Sequence, residues 1–256
     1  MACATITLIG GPTALIELGG LRFLTDPTFD DPGDYQLPHV TLKKTAMPAL
    51  SVDEVGPIDA VLLSHDQHAD NLDLAGRAFL PKARRVLTTK AGAIRLGGNT
   101  EGLAPWETRE LETNRDTVIV TATPARHGPA GIEPLTGDAV GFVLSSRTSA
   151  FKSLYVTGDT VWFDGVAEVQ RRFAPSLVLL FAGAAQTRGK LNLTMNTNDA
   201  IETARAFTRA SIVPLHADGW EHFTENADDL QFAFEILGLS GRLHRIKHGV
   251  PSAFPL

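Results

Sequence analysis

Val61-Leu62-Leu63-Ser64-His65-Asp66-Gln67-His68-Ala69-Asp70-Asn71 decides how the rest of the chain is read. A continuous apolar run ends, and histidines and aspartates follow at once. The arrangement recurs downstream. Residues 118–123 run through Pro124 to His127; Leu154-Tyr155-Val156-Thr157 runs into Gly158-Asp159-Thr160; Ser211-Ile212-Val213-Pro214 runs into Leu215-His216. Each apolar run predicts a buried strand, and each delivers His or Asp just past its C-terminal end. In α/β folds ligands gather beyond those ends, because strand termini are rigid and their loops converge.

Working outward, residues 5–9, 14–18 and 21–25 read as strands separated by Gly10-Gly11-Pro12 and Gly19-Gly20 turns. Residues 29–50 are rich in Pro, Gly, Asp and Lys without a sustained period, which predicts an irregular functional loop or lid. Beyond it, strands are expected at 58–64, 86–88, 140–145, 153–156, 177–181, 211–214 and 243–246, and a hairpin pair at 107–111 and 117–123. Helices are expected at 71–80, 91–96, 166–173, 198–210 and 228–237. The pattern is α/β with an antiparallel start, and periodicity alone leaves several architectures open.

Composition narrows the function. The 256 residues are 43% hydrophobic and 20% charged, enough for a large core. A net charge of -6 argues against a phosphate-binding surface, and the basic doublets Lys43-Lys44 and Arg84-Arg85 are short. Cys3 is the one cysteine, so an internal disulfide and a thiolate zinc knuckle are excluded. The start has no basic and apolar leader pattern, and the apolar run at 176–185 is too short to span a bilayer. A cytoplasmic protein is expected, acting on a small-molecule substrate, with no nucleic-acid or membrane partner; homo-oligomer formation is left open.

Imidazole and carboxylate together suit a divalent metal. Zinc takes both and keeps an open position when catalytic; manganese and iron(II) fit the same set. A bound metal lowers the pKa of its water from about 15.7 to about 7, giving hydroxide at neutral pH. The ordered set His65, His68, Asp70, then His127, then Thr157-Gly158-Asp159-Thr160, then Pro214-Leu215-His216 resembles the metallo-β-lactamase superfamily, and within it the phosphorylated-ascorbate lactonase-like hydrolases. The resemblance implies an αββα four-layer sandwich forming a single domain over residues 1–256, with the site at the edge of the packed sheets. It further implies that His65, His68 and His127 bind one metal, Asp70 and His216 a second, and that Asp159 bridges. Zn2+ is the expected cofactor, as one or two ions, with Mn2+ or Fe2+ as alternatives. The implied activity is attack of metal-bound hydroxide on a lactone, ester, amide or phosphodiester, with Asp70 orienting the nucleophile and taking its proton. A metal- or ligand-binding member without turnover and an iron-dependent oxidoreductase on the same fold are the other readings.

The motif departs from its family. The usual form is His-x-His-x-Asp-His; here one residue is inserted and Asn71 stands where the last histidine belongs. Either His68 or Gln67 fills the second ligand slot. Asn71 offers only a neutral amide, which weakens the second site and leaves one metal or two open. Each residue also has a plainer role: His65 as a bonded core histidine, Asp70 as an N-cap, Asp159 as a turn cap, His127 as a loop residue. Jointly those roles leave convergent buried charges uncompensated, at several kcal/mol each. Asp66, Gln67, Asn71, Trp162, Trp220 and His222 are expected to line the pocket or support the ligands. Asp66 is read as orienting a ligand imidazole or bonding backbone, Arg126 as meeting an anionic group or solvent, and His39 as reaching over the site or standing exposed.

Overall fold

Alternate side chains of the segment Leu177–Phe181 enter different cores. Leu177, Leu179 and Phe181 join the largest apolar cluster, whereas Val178 and Leu180 join a second one beneath helices. A strand buried on both faces needs such an uninterrupted apolar run. Residues 60–63 do the same on the opposite side, with Ala60 and Leu62 in the largest cluster and Val61 and Leu63 in a third.

This architecture comes from a computed structural model that describes residues 3–37, 39–114 and 116–256. Its strands are β1 (Cys3–Gly10), β2 (Thr13–Leu18), β3 (Leu21–Thr25), β4 (Gly33–Gln36), β5 (Thr41–Lys44), β6 (Ala60–Leu62), β7 (Val86–Thr89), β8 (Thr100–Leu103), β9 (Thr108–Glu112), β10 (Thr117–Pro124), β11 (Val140–Ser146), β12 (Leu154–Val156), β13 (Leu177–Phe181), β14 (Ser211–Leu215) and β15 (Ser252–Pro255). Its helices are α1 (Val52–Val55), α2 (Leu74–Phe79), α3 (Lys90–Leu96), α4 (Glu133–Thr136), α5 (Asp164–Phe173), α6 (Thr197–Ala206) and α7 (Ala227–Ile236).

Seven strands form one sheet in the order β15-β1-β2-β3-β6-β7-β8, and six form another in the order β14-β13-β12-β11-β10-β9. The largest cluster lies between them, drawing Ile6, Ile16 and Phe23 from one sheet and Val120, Phe142 and Leu179 from the other. Val166, Ala200 and Phe234, from α5, α6 and α7, cover the second sheet's outer face. Val55 and Phe79, from α1 and α2, cover that of the first. The layering is αββα. Among the described residues no helix is long and apolar enough to cross a membrane.

Three expectations need correction, and two strands were not foreseen. The 29–50 segment is not wholly irregular: β4 and β5 pair antiparallel with Tyr35 opposite Leu42, in strands of 4 residues each, too short to show a period. The helix expected from residue 71 begins at Leu74, because the Asp73 carboxylate caps it by accepting from Gly76 N at 2.8 Å. Residues 243–246 form no strand beyond a single Ile212–Leu243 bridge. The last strand is instead β15, which pairs with β1 at the sheet edge, where Pro255 costs no ladder bond. Strand β8, Thr-Glu-Gly-Leu, lacked the apolar run that marked its neighbours.

The β4–β5 hairpin is fastened rather than free. Lys44 and Asp73 form a buried ion pair at 2.9 Å, and Asp73 also accepts from Asp30 N at 2.7 Å. The Asp30 carboxylate accepts from the Tyr35 hydroxyl and from Leu74 N and Ala75 N at the start of α2. On its other side the hairpin bonds the loop after β14, through Thr45 N to Gly219 O and Glu221 N to Lys43 O. Removing one partner of a buried pair strands the other, at about 3 kcal/mol or more. Lys44→Ala should therefore lower the unfolding free energy by about that amount, whereas Arg84→Ala, at the exposed pair with Asp59, should cost less than about 1 kcal/mol. Urea unfolding of both variants measures the difference.

Candidate metal centre

Both β10 and β12 run antiparallel to β11, and β13 and β14 continue parallel to β12. The C-terminal ends of β10, β12 and β14 therefore lie along one edge. Beyond β12 the chain turns at Gly158 with φ +61°, where an added Cβ would stand 2.5 Å from Val140 O. Only glycine fits, and Asp159 follows at 1% exposure. Beyond β14, His216 itself adopts φ 53°, a left-handed conformation costing a non-glycine residue about 1–2 kcal/mol. Its N–H donates to Gly11 O at 2.8 Å, which holds the strained residue to the first sheet. Beyond β6, Ser64 N–H donates to Asp26 Oδ1 at 2.6 Å. Burial, reinforced by the Asp159 charge, holds the Asp26 carboxyl well above the usual carboxylate range.

These turns bring six side chains together in two triads. His65, His68 and His127 form one, and Asp70, Asp159 and His216 the other; within each, the donor atoms lie within 4.8 Å of one another. His65 Nε2 and His127 Nε2 stand 2.7 and 3.1 Å from His68 Nδ1. His216 Nε2 is 3.5 Å from Asp70 Oδ2 and 3.4 Å from Asp159 Oδ1. Asp159 turns its other oxygen to the first triad, with Oδ2 3.6 Å from His127 Nε2. Two donors each about 2.1 Å from one ion are about 3.0–3.4 Å apart at right to tetrahedral angles. The observed spacings scatter around that range.

The protonation states fit a cation as well. His127 Nδ1 donates to Leu193 O at 2.8 Å, so a neutral ring presents the Nε2 lone pair to the cluster. Burial first, and neighbouring imidazoles next, hold His65 well below its ordinary value and His68 at about 4. Burial alone would raise both carboxyls, yet His222 and His216 around Asp70, and His216 and His127 around Asp159, hold them below the usual range. Burial likewise opposes charge on His216, but Asp159 and Asp70 raise it to about 10. Without a metal, then, a protonated His216 supplies the positive charge the carboxylates require; a metal would displace that proton. Asp159 Oδ2 and both His216 nitrogens are buried without a hydrogen-bond partner, a cost of about 1–3 kcal/mol per group unless something else binds them.

Other expected residues are placed differently. His68 shares the first triad while Gln67 is exposed, beside Gly137. Asp66 neither orients an imidazole nor bonds backbone; its carboxylate pairs with Arg95, with Nε to Oδ2 at 2.9 Å. Asn71 donates to Asp159 Oδ1 at 3.1 Å and to Ser64 Oγ at 3.4 Å. Trp162 packs into the helix-side core and not the cleft. Trp220 packs against Tyr35 with ring centroids 5.3 Å apart and tilted 41°, and stands 6.0 Å from His222. Arg126 lies over the Phe163 ring at 4.8 Å. His222 Nε2 sits 2.9 Å from Asp70 Oδ2. His39 is exposed and lines the mouth of a narrow cleft over His68 and Asp70, with Leu37, Val40 and Leu42 beside it. Sequence reasoning missed Ser64, whose Oγ lies 2.9 Å from His65 Nδ1, although a hydroxyl next to a ligand imidazole was a visible signal. It also missed the Leu193 carbonyl and Arg95, which no local pattern announces.

The family model of the beta-lactamase superfamily domain matches residues 21–217. The chain is 26% identical to the UPF0173 protein YddR of Bacillus subtilis, over 93% of this chain and 95% of that one. It is 28% identical to a UPF0173 metal-dependent hydrolase of Pelotomaculum thermopropionicum, over 69% and 75%. Against the N-acyl-phosphatidylethanolamine-hydrolyzing phospholipase D of Saccharomyces cerevisiae, identity is 25% over 97% of this chain, which spans only 55% of that longer protein. Among solved structures, the isothiocyanate hydrolase from Delia radicum gut bacteria superposes with a TM-score of 0.83, at 24% identity and covering 98% of this chain and 100% of that one. The diiron β-hydroxylase CmlA from Streptomyces venezuelae gives 0.64 at 15% identity, covering 99% and 54%. None of these relatives bears the phosphorylated-ascorbate lactonase name.

Because His68 is neutral in the fold and titrates near pH 6.5 when unfolded, the unfolded chain takes up its proton first as pH falls. Metal-free protein should lose stability from about pH 6.5 down to about 4, and His68→Gln should lose less over that window. Urea midpoints across pH, measured in chelator, test this.

Proposed function

Because the chain belongs to the beta-lactamase superfamily and has the fold and enzyme class of its metal-dependent hydrolases, we propose that it hydrolyses a small carbonyl or phosphoryl electrophile at the paired triads. The observation that carries this reading is Asp159, whose two oxygens face different triads, at 3.4 Å from His216 and 3.6 Å from His127. A buried carboxylate shared in this way suits a bridge between two cations. A divalent cation held by these residues supplies an activated water and polarises the electrophile. Zn2+ is the metal we favour, since the donors are imidazole nitrogen and carboxylate oxygen alone; Mn2+ and Fe2+ suit the same donors.

The chain's own groups would do the rest. Asp70, held ionised, would orient the attacking water and accept its proton. Ser64 and Leu193 O would fix the rings of His65 and His127. Leu37, Val40, Leu42 and Leu193 give the cleft apolar walls, and Arg188 lies at its rim. A lactone, ester, amide or phosphodiester with a modest apolar portion fits such a cleft. The likeness to CmlA is one of fold; elemental analysis of protein purified without metal supplementation separates hydrolysis from iron-dependent oxidation.

Chelation should abolish turnover and metal should restore it. His127→Ala should reduce kcat/KM by more than the roughly 10–100-fold typical of losing an outer hydrogen bond to a ligand. A panel of lactones, esters, amides and phosphodiesters provides the assay, and full turnover by exhaustively chelated protein would refute the proposal.

A further inference from the structure

Asp70 is followed by Asn71, so the second triad lacks the imidazole that the family motif supplies from that position. Asn71 does not replace it: its amide nitrogen is spent on Asp159 Oδ1 and Ser64 Oγ. Another imidazole reaches Asp70 from far along the chain. His222 Nε2 lies 2.9 Å from Asp70 Oδ2, with a side chain only 7% exposed. We propose that His222 completes the second cation site in place of residue 71, an inference that rests on the metal-dependent reading above.

Three observations support it. The 2.9 Å separation from Asp70 Oδ2, and the 3.5 Å from the same oxygen to His216 Nε2, bracket the spacing of neighbouring donors on one ion. The ring is held in place: the Phe223 ring lies 4.6 Å from both His216 and His222, Trp220 stands 6.0 Å from His222, and Gln186 N–H donates to His222 O at 3.0 Å. His222 Nδ1 is buried without a hydrogen-bond partner. The ring aims Nε2 at the site and lines the cleft beside His68 and His127.

The test is stoichiometric and spectroscopic. Chelated wild type, His222→Ala, and His222→Ala combined with Asn71→His are titrated with Co2+, following visible d–d absorption and bound metal after desalting. Wild type should take up two equivalents. His222→Ala should keep the first and bind the second more than about 100-fold more weakly, beyond the 10–100-fold expected for losing an outer partner. Restoring an imidazole at residue 71 should recover the second equivalent and its absorption. A second equivalent bound as tightly by His222→Ala as by wild type would overturn the proposal. So would its loss without rescue, which assigns His222 to positioning Asp70. One equivalent in wild type overturns the proposal and leaves a single-metal hydrolase; no binding at all refutes the metal centre itself. His222→Gln, close in shape, serves if the alanine variant unfolds.

Discussion

Everything at this site depends on charge balance in a buried pocket. Asp70 and Asp159, at 5% and 1% exposure, are held ionised. An isolated buried carboxylate costs several kcal/mol, and no lysine or arginine is paired with either among the described residues. The partners are imidazoles. His216 lies between the carboxylates and supplies positive charge when protonated. The three lone pairs directed together by His65, His68 and His127 are the complementary feature, since neutral imidazoles crowd there only at a cost that a cation offsets.

The fold keeps these groups from relaxing apart. The strand-end loops bind one another as well as their own sheet: Thr160 Oγ1 accepts from Arg126 N, and Val161 N bonds Arg126 O, so the His127 and Asp159 loops move together. His216 N bonds Gly11 O, tying the second sheet's site loop to the first sheet's opening hairpin, and Ser64 N bonds Asp26, tying the β6 end to the end of β3. Strain at His216 is tolerated because packing over-determines it. Preorganisation of this kind lets a site bind a metal without first paying to order its ligands.

Local signals made much of this legible. The apolar runs 177–181 and 211–214 were long enough to declare themselves, and the His and Asp residues beyond them were conspicuous. The β4–β5 hairpin, β8 and β15 were not, because each strand is 4 residues long and three of the four hold Gly or Pro. Their pairing is decided by tertiary partners rather than by period. The same limit hid the role of Asp66. Its neighbour His65 suggested a bond to imidazole, while the partner it takes, Arg95, lies on α3 and bears no sequence relation to the motif.

That arginine also accounts for the irregular spacing of the motif. The residue inserted between the first two histidines must be absorbed without moving His68 out of the cluster. Asp66 turns outward to Arg95, and its carbonyl accepts from Arg77 Nη2 of α2 at 2.8 Å. Two helices thus clamp the bulge, Gln67 is left in solvent, and His68 returns to the ring of imidazoles. Asn71 then lies beneath Asp159, where a neutral donor is useful: an N–H to Oδ1 fixes the carboxylate's rotation without competing for its charge. An imidazole ligand at residue 71 would give up that donor. The altered motif therefore exchanges the family's imidazole for a hydrogen bond that orients the Asp159 carboxylate, and the cost falls on the Asp70 side of the pocket, where His222 stands.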